Sequence, residues 1–201
     1  MPLPPNTTID PAFLRDHRKP TEDIMKIENI EIMPVVMPKE DPEWAFATSR
    51  EPKASGFALK VMGDNGLTGL GYSGASAHHG SSYGGVKAAL ETFTSSLIGQ
   101  DPFNTEKIFS MLNSTLRGNN DAKAAIDVAL HDLQAKAMEL PLHALLGGLV
   151  RDEVQISRVL ALKEPEKMAP NALKLVEQGY SHIKVKLGGE PFLNRWAGDI
   201  D

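Results

Sequence analysis

The stretch His182-Ile183-Lys184-Val185-Lys186-Leu187-Gly188-Gly189 carries the side chains with the clearest chemical potential. Successive side chains on a β-strand point to opposite faces, so His182, Lys184 and Lys186 share one face and Ile183, Val185 and Leu187 the other. The apolar face suits packing against helices. The other face sets two ammonium groups side by side, in the interior if the strand lies inside a parallel sheet, near the C-terminal strand end where barrel enzymes build their active sites. Desolvation and mutual repulsion both disfavour the charged form, so one lysine becomes easier to deprotonate and can serve as a general base near neutral pH. Taken alone, Lys-x-Lys more often marks an edge strand with solvated lysines, because buried lysine is rare. Its weight depends on the elements around it.

From Asp152 onward the pattern is strand, helix, strand: EVQISRVLAL, then EPEKMAPNALKLVEQG, then YSHIKVKLG. This spacing fits a βαβ crossover, which implies parallel strands with the helix outside. Pro170 either kinks the helix or marks its true start. Upstream, helices dominate. Val86, Leu90, Phe93 and Leu97 recur at helical spacing and Gly99 supplies a stop; a second helix follows Asp101-Pro102 with Ile108, Phe109, Leu112 and Leu116. The third, expected over residues 122–140, aligns Ile126, Ala129, Leu130, Leu133 and Ala137 in one stripe rich in alanine, which permits close packing. Asp127 and Asp132 flank that stripe, and Lys123 and Lys136 four residues away account for both as exposed surface pairs. Further upstream, KIENIEIMPVVM reads as a strand broken near Pro34, and FALKVM-GDNG-LTGLGYS as a hairpin. The front of the protein is thus a three-stranded antiparallel meander with two long loops, Pro38 to Ser55 and GASAHHGSSYGG. Residues 1–24, proline-rich and without periodic hydrophobicity, are expected to form a disordered tail.

Composition narrows the partners. Of 201 residues, 41% are hydrophobic and 23% charged, and 21 Lys+Arg against 26 Asp+Glu give a net charge of -5 with no basic block, which argues against nucleic acid. No apolar run approaches the roughly 18 residues that cross a bilayer, and the N-terminus lacks the layout of a signal peptide, so a cytoplasmic protein without a membrane partner is expected. The absence of cysteine removes thiol nucleophiles, disulfides and cysteine-ligated metal sites.

The helix AKAAIDVALHDLQAKAMELPLHALLGG, followed by RDEV, a strand, a helix, EQGY and IKVKLGG, closely resembles the muconate lactonizing enzyme and mandelate racemase branch of the enolase superfamily, over about Met25 to Gly189. The resemblance implies an α+β capping domain, meander plus helical bundle, over 25–150. Residues 151–201 would then begin a (β/α) barrel that this length cannot complete, since a closed barrel takes roughly 200 residues or more. It implies abstraction of the proton α to a carboxylate, with the enolate stabilised on Mg²⁺, by a racemase, epimerase or cycloisomerase, or by a dehydratase starting from the same enolate. Lys186 matches the base that moves the α-proton, and Lys184 the lysine that holds the substrate carboxylate and depresses its neighbour's pKa. The meander loops match loops that close over the site and select a small carboxylate or amino-acid-derived substrate, which makes Trp44, Phe46, His78, His79 and Tyr83 candidate substrate contacts, although loop aromatics also serve as anchors and loop histidines as solvated groups. His131 takes a position where the family commonly has tryptophan and is expected to pack between domains. His182 is expected to lie too deep to act. The Mg²⁺ ligands and a second acid/base are expected beyond Asp201, the chain being a fragment, with a homo-oligomer expected when the barrel is complete. Were the natural product to end at Asp201, a non-catalytic capping module would be expected instead.

Overall fold

The computed structural model describes residues 25–45 and 51–187. Strands β1 (Ile27–Pro38), β2 (Lys53–Gly63) and β3 (Thr68–Gly74) form an antiparallel sheet in the order β1-β2-β3. The register Ile30↔Val61, Ile32↔Leu59 and Pro34↔Phe57 lines apolar side chains along one face. β1 runs through Pro34 instead of breaking there, which an edge strand permits because it has ladder hydrogen bonds on one side only. β2 likewise starts at Lys53, inside the segment read from sequence as loop.

Three helices cover the apolar face: α1 (Tyr83–Leu97), α2 (Thr105–Thr115) and α3 (Asn120–Ala137). The Ser82 hydroxyl caps α1 by accepting from the Gly85 N–H at 3.1 Å. Phe57, Leu59 and Val61 of the sheet, Val86, Leu90, Phe93 and Leu97 of α1, Ile108 and Leu112 of α2, and Ile126, Ala129, Leu130 and Leu133 of α3 are buried in one core. α3 lies directly on β3. A Cβ at Gly69 would fall 2.0 Å from the Ala129 carbonyl oxygen and one at Gly71 1.9 Å from that of Ala125, so only glycine on the strand permits this approach. The helix also satisfies backbone groups of this edge strand. Asp132 accepts the Leu70 N–H at 2.8 Å, and Lys136 donates to the Thr68 carbonyl at 2.8 Å and to Asp132 at 2.7 Å.

The second expected surface pair does not form. Lys123 is buried and donates to Asn113 Oδ1 and to the Leu116 carbonyl, both at 2.8 Å, closing the end of α2. Asp127 faces His131 instead, at 3.3 Å.

After the single turn α4 (Leu142–Leu145), strands β4 (Ser157–Leu160) and β5 (His182–Val185) pair in parallel on either side of α5 (Pro165–Glu177) in the chain. α5 begins at Pro165, where a missing N–H is harmless, so Pro170 falls in its interior. Val154, Ile156, Leu173, Val176, Val185 and Leu187 are exposed around this unit. Among the described residues, no helix is long and apolar enough to cross a membrane.

Candidate active site

β5 and the residue after it present the two lysines. Lys184 stands opposite Val159 of β4 and is exposed, not interior as its strand face suggests, because the described residues place only one neighbouring strand beside it. His182 is exposed as well, with Nδ1 2.9 Å from the Ser181 hydroxyl, so depth does not set it apart. Lys186 follows the strand directly, its N–H 3.4 Å from the Leu160 carbonyl, and is half-buried. Its Nζ lies 4.7 Å from the centroid of the Trp44 ring, within cation–π range.

Trp44 is carried there by the loop between β1 and β2, which is tied down at both levels of structure. Lys39 donates its N–H to the Pro52 carbonyl, and Glu51 donates its own to the Trp44 carbonyl, each at 2.9 Å. Across to the βαβ unit, the Leu162 N–H reaches the Ala45 carbonyl at 3.3 Å. Side chains add charge pairs: Lys163 with Asp41 at 2.9 Å and Glu43 at 3.3 Å, and Arg158 with Glu40 at 2.9 Å. Lys163 is held above its ordinary lysine value, chiefly by the hydrogen bond to Asp41. Residues 40–45 therefore sit on the C-terminal ends of β4 and β5, with Trp44 over Lys186.

Lys186 is held below the ordinary lysine range, first by desolvation, then by the charges of Lys39 and Lys184, with Glu51 pulling the other way. Desolvation and a neighbouring lysine were legible in the Lys-x-Lys pattern; the contribution of Lys39 was not. Lys39 Nζ lies 5.1 Å from the same Trp44 ring and 3.5 Å from Glu51. The ion pairs of Lys163 and Arg158 were missed too, since their partners lie 118 to 122 residues away in the chain and nothing local marks them.

The second long loop approaches the same cluster through Ser76, whose hydroxyl donates to Glu51 at 3.3 Å. His78 and His79 lie in the 3₁₀ turn that follows, Ala77–His79, and His79 is exposed. Tyr83 opens α1 with its ring 4.5 Å from that of Phe57, the contact of a packing anchor, while remaining 40% exposed. Phe46 lies outside the described residues. His131 lines a groove between α2 and α3, its Nδ1 3.0 Å from the Asp127 carbonyl oxygen.

A divalent cation would need several free carboxylate oxygens. Among the described residues, the acidic run near the lysines, Glu40, Asp41 and Glu43, is matched by Arg158, Lys163 and Lys167. Among the described residues no group of three or more acidic or histidine side chains is set to hold a metal. These residues do not make a Mg²⁺ site.

Residues 28–147 match the family profile "Mandelate racemase / muconate lactonizing enzyme, N-terminal domain". An N-succinyl-L-Arg/Lys racemase of Bacillus cereus is 34% identical over 166 residues, covering 82% of this chain and 45% of the racemase. A chloromuconate cycloisomerase of Pseudomonas putida is 33% identical over 177 residues, with 82% and 45% covered. Among solved structures, a dipeptide epimerase of Enterococcus faecalis, complexed with Mg and the dipeptide L-Leu-L-Tyr, aligns with a TM-score of 0.77 at 30% identity, over 82% of this chain and 46% of that one. Racemases, epimerases, cycloisomerases and a dehydratase all occur among the relatives. The chain spans about half the length of the curated relatives it matches. With the antiparallel meander and helices of a capping domain and a family match over most of the folded core, the chain belongs to the mandelate racemase / muconate lactonizing enzyme family of the enolase superfamily.

Proposed function

We propose that this chain supplies the capping domain (25–150) and the opening βαβ unit (from residue 151) of a (β/α)-barrel enzyme that removes the proton α to a carboxylate. Lys186 is the base and Lys184 the cation that receives the substrate carboxylate. The observation that carries this reading is the half-buried Lys186 ammonium at the C-terminal end of β5, beneath Trp44, with its proton made easier to lose by burial and two neighbouring lysines. Carbon acids beside a carboxylate are weak, so their deprotonation needs both a tuned base and a cation near the developing charge. Mg²⁺ supplies that further charge when bound, and its ligands belong outside the described residues.

Within the site, Trp44 covers one side of Lys186, and Ser76 of the second meander loop is joined to Glu51 beside it; His78, His79 and Phe46 remain candidate substrate contacts from the resemblance alone. The substrate classes to test are those named for the relatives: N-succinyl amino acids, dipeptides, muconate-type diacids and hydroxyprolines. The enzyme is expected to act in the cytoplasm, as a homo-oligomer.

The test is incubation of the native protein in D₂O with Mg²⁺ and each class, followed by ¹H NMR. Loss of the α-proton signal with inversion marks a racemase or epimerase, and ring closure with deuterium entering at the α-carbon marks a cycloisomerase, where Lys186 delivers the proton to the enolate; either supports the reading. A hydroxyproline that loses water instead identifies the dehydratase, which the presence of such a relative keeps in view. No exchange in any class contradicts the proposal.

A further inference from the structure

We propose that Lys39 is a positioning residue for Lys186, acting on it from the loop across Trp44 without touching the reacting atoms. The inference rests on the reading of Lys186 as the base and adds to it how that base is controlled. Both ammonium groups lie against one indole ring, at 5.1 Å for Lys39 and 4.7 Å for Lys186. Lys39 is fixed there three ways: by its backbone hydrogen bond to Pro52, by the Trp44 ring, and by Glu51 at 3.5 Å. The loop that carries it is in turn pinned to the strand ends by Lys163, through Asp41 and Glu43.

Among the described residues, the charged groups that act on Lys186 are Lys184 from its own strand, and Lys39 and Glu51 from the two ends of the loop. Lys163, beyond β4, has its charge matched by Asp41 and Glu43. The charges of Lys39 and Glu51 and the ring of Trp44 all reach Lys186 from the segment between β1 and β2, so the setting of the base depends on residues far from its own strand. Lys39 and Glu51 act with opposite sign, and Glu51 is joined to the second loop through Ser76, so both loops bear on the same proton.

The test reads the titration of Lys186 in the native protein, without turnover, by labelling lysines with acetic anhydride across a pH series and quantifying the Lys186 peptide by mass spectrometry. Neutral amines react and ammonium ions do not, so the midpoint of labelling reports loss of the Lys186 proton. Lys39→Gln is expected to move that midpoint to higher pH, Lys39→Arg to leave it near wild type, and Glu51→Gln to move it to lower pH. General loosening of the loop would push every variant upward, so the opposite signs separate control by charge from disruption. A midpoint unmoved by Lys39→Gln, an Arg variant shifted as far as the Gln variant, or an upward shift in Glu51→Gln would each overturn the inference. Wild-type α-proton exchange is scored separately: its absence would contradict Lys186 as the base while leaving the measured coupling intact.

Discussion

Lys186 titrates below the ordinary lysine value of 10.5 because folding desolvates its ammonium and sets Lys39 and Lys184 near it. The sign of its effect on stability follows. Between the folded value and 10.5 the unfolded chain binds more protons than the native one, so native stability rises with pH through that window, and below it the ammonium is a net burden on the fold. Lys186→Met, keeping the aliphatic stem and removing the charge, should therefore melt at or above the wild-type temperature at pH 7 in calorimetry, and a fall of several degrees would mark the ammonium as structural. Lys163 has the opposite sign. Its raised value, due first to Asp41, means that its pairs stabilise the fold below 10.5 and lose that effect as pH climbs through the folded value above it. Lys163→Met should cost about 1 kcal/mol at neutral pH, an amount discounted because Glu43 is mostly solvent-exposed, and the loss should shrink in high salt. Denaturant titration at two ionic strengths checks both statements. The Lys-x-Lys pattern exposed the central residue of this account, but not Lys39, whose role depends on a contact between segments far apart in the chain.

The elements hold their positions through contacts of very different tolerance. Gly69 and Gly71 meet the carbonyl oxygens of Ala129 and Ala125, and these are backbone atoms of a packed helix that cannot swing aside. Gly69→Ala or Gly71→Ala should destabilise by about 3 kcal/mol, at the upper end of overpacking, by forcing α3 off the sheet. Gly84→Ala, in the first turn of α1 with nothing within 4 Å of the added carbon, should be neutral or stabilising by up to about 1 kcal/mol. Urea midpoints of the three variants decide this. The alanine stripe of α3 announced close packing from sequence, and the helical periodicities of α1 and α2 placed Val86, Leu90, Phe93, Leu97, Ile108 and Leu112 in the core where the structure has them. Periodicity could not show that β1 continues through Pro34, because an edge strand tolerates a proline that a central one would not. Nor could it separate Lys123 from Lys136: both stand four residues from an aspartate, yet one is buried against the end of α2 and the other clips β3.

At the scale of the molecule, a well-filled capping core stands beside a two-stranded parallel unit with exposed apolar residues ahead of β4 (Val154, Ile156), on α5 (Leu173, Val176) and at the end of β5 (Val185, Leu187). The 201-residue chain studied by itself should therefore bind a hydrophobic dye and self-associate with rising concentration, and Ile156→Ser with Leu187→Ser should reduce both effects in fluorescence and sedimentation measurements. The capping-domain architecture was legible because meander and helices each have their own period. The Lys39–Trp44–Lys186 cluster was not, because it forms only where a loop from the first part of the chain meets a strand end from the last. The claim on which everything else depends is that Lys186 moves a proton. Its most direct test is the rate of α-proton exchange in D₂O for wild type, Lys186→Met and Lys163→Met, on whichever substrate class the native protein accepts. The account predicts that Lys186→Met loses roughly 10²- to 10⁴-fold, the contribution of a positioned general base, while Lys163→Met retains the chemistry with a smaller loss. Exchange at the wild-type rate in Lys186→Met would contradict it.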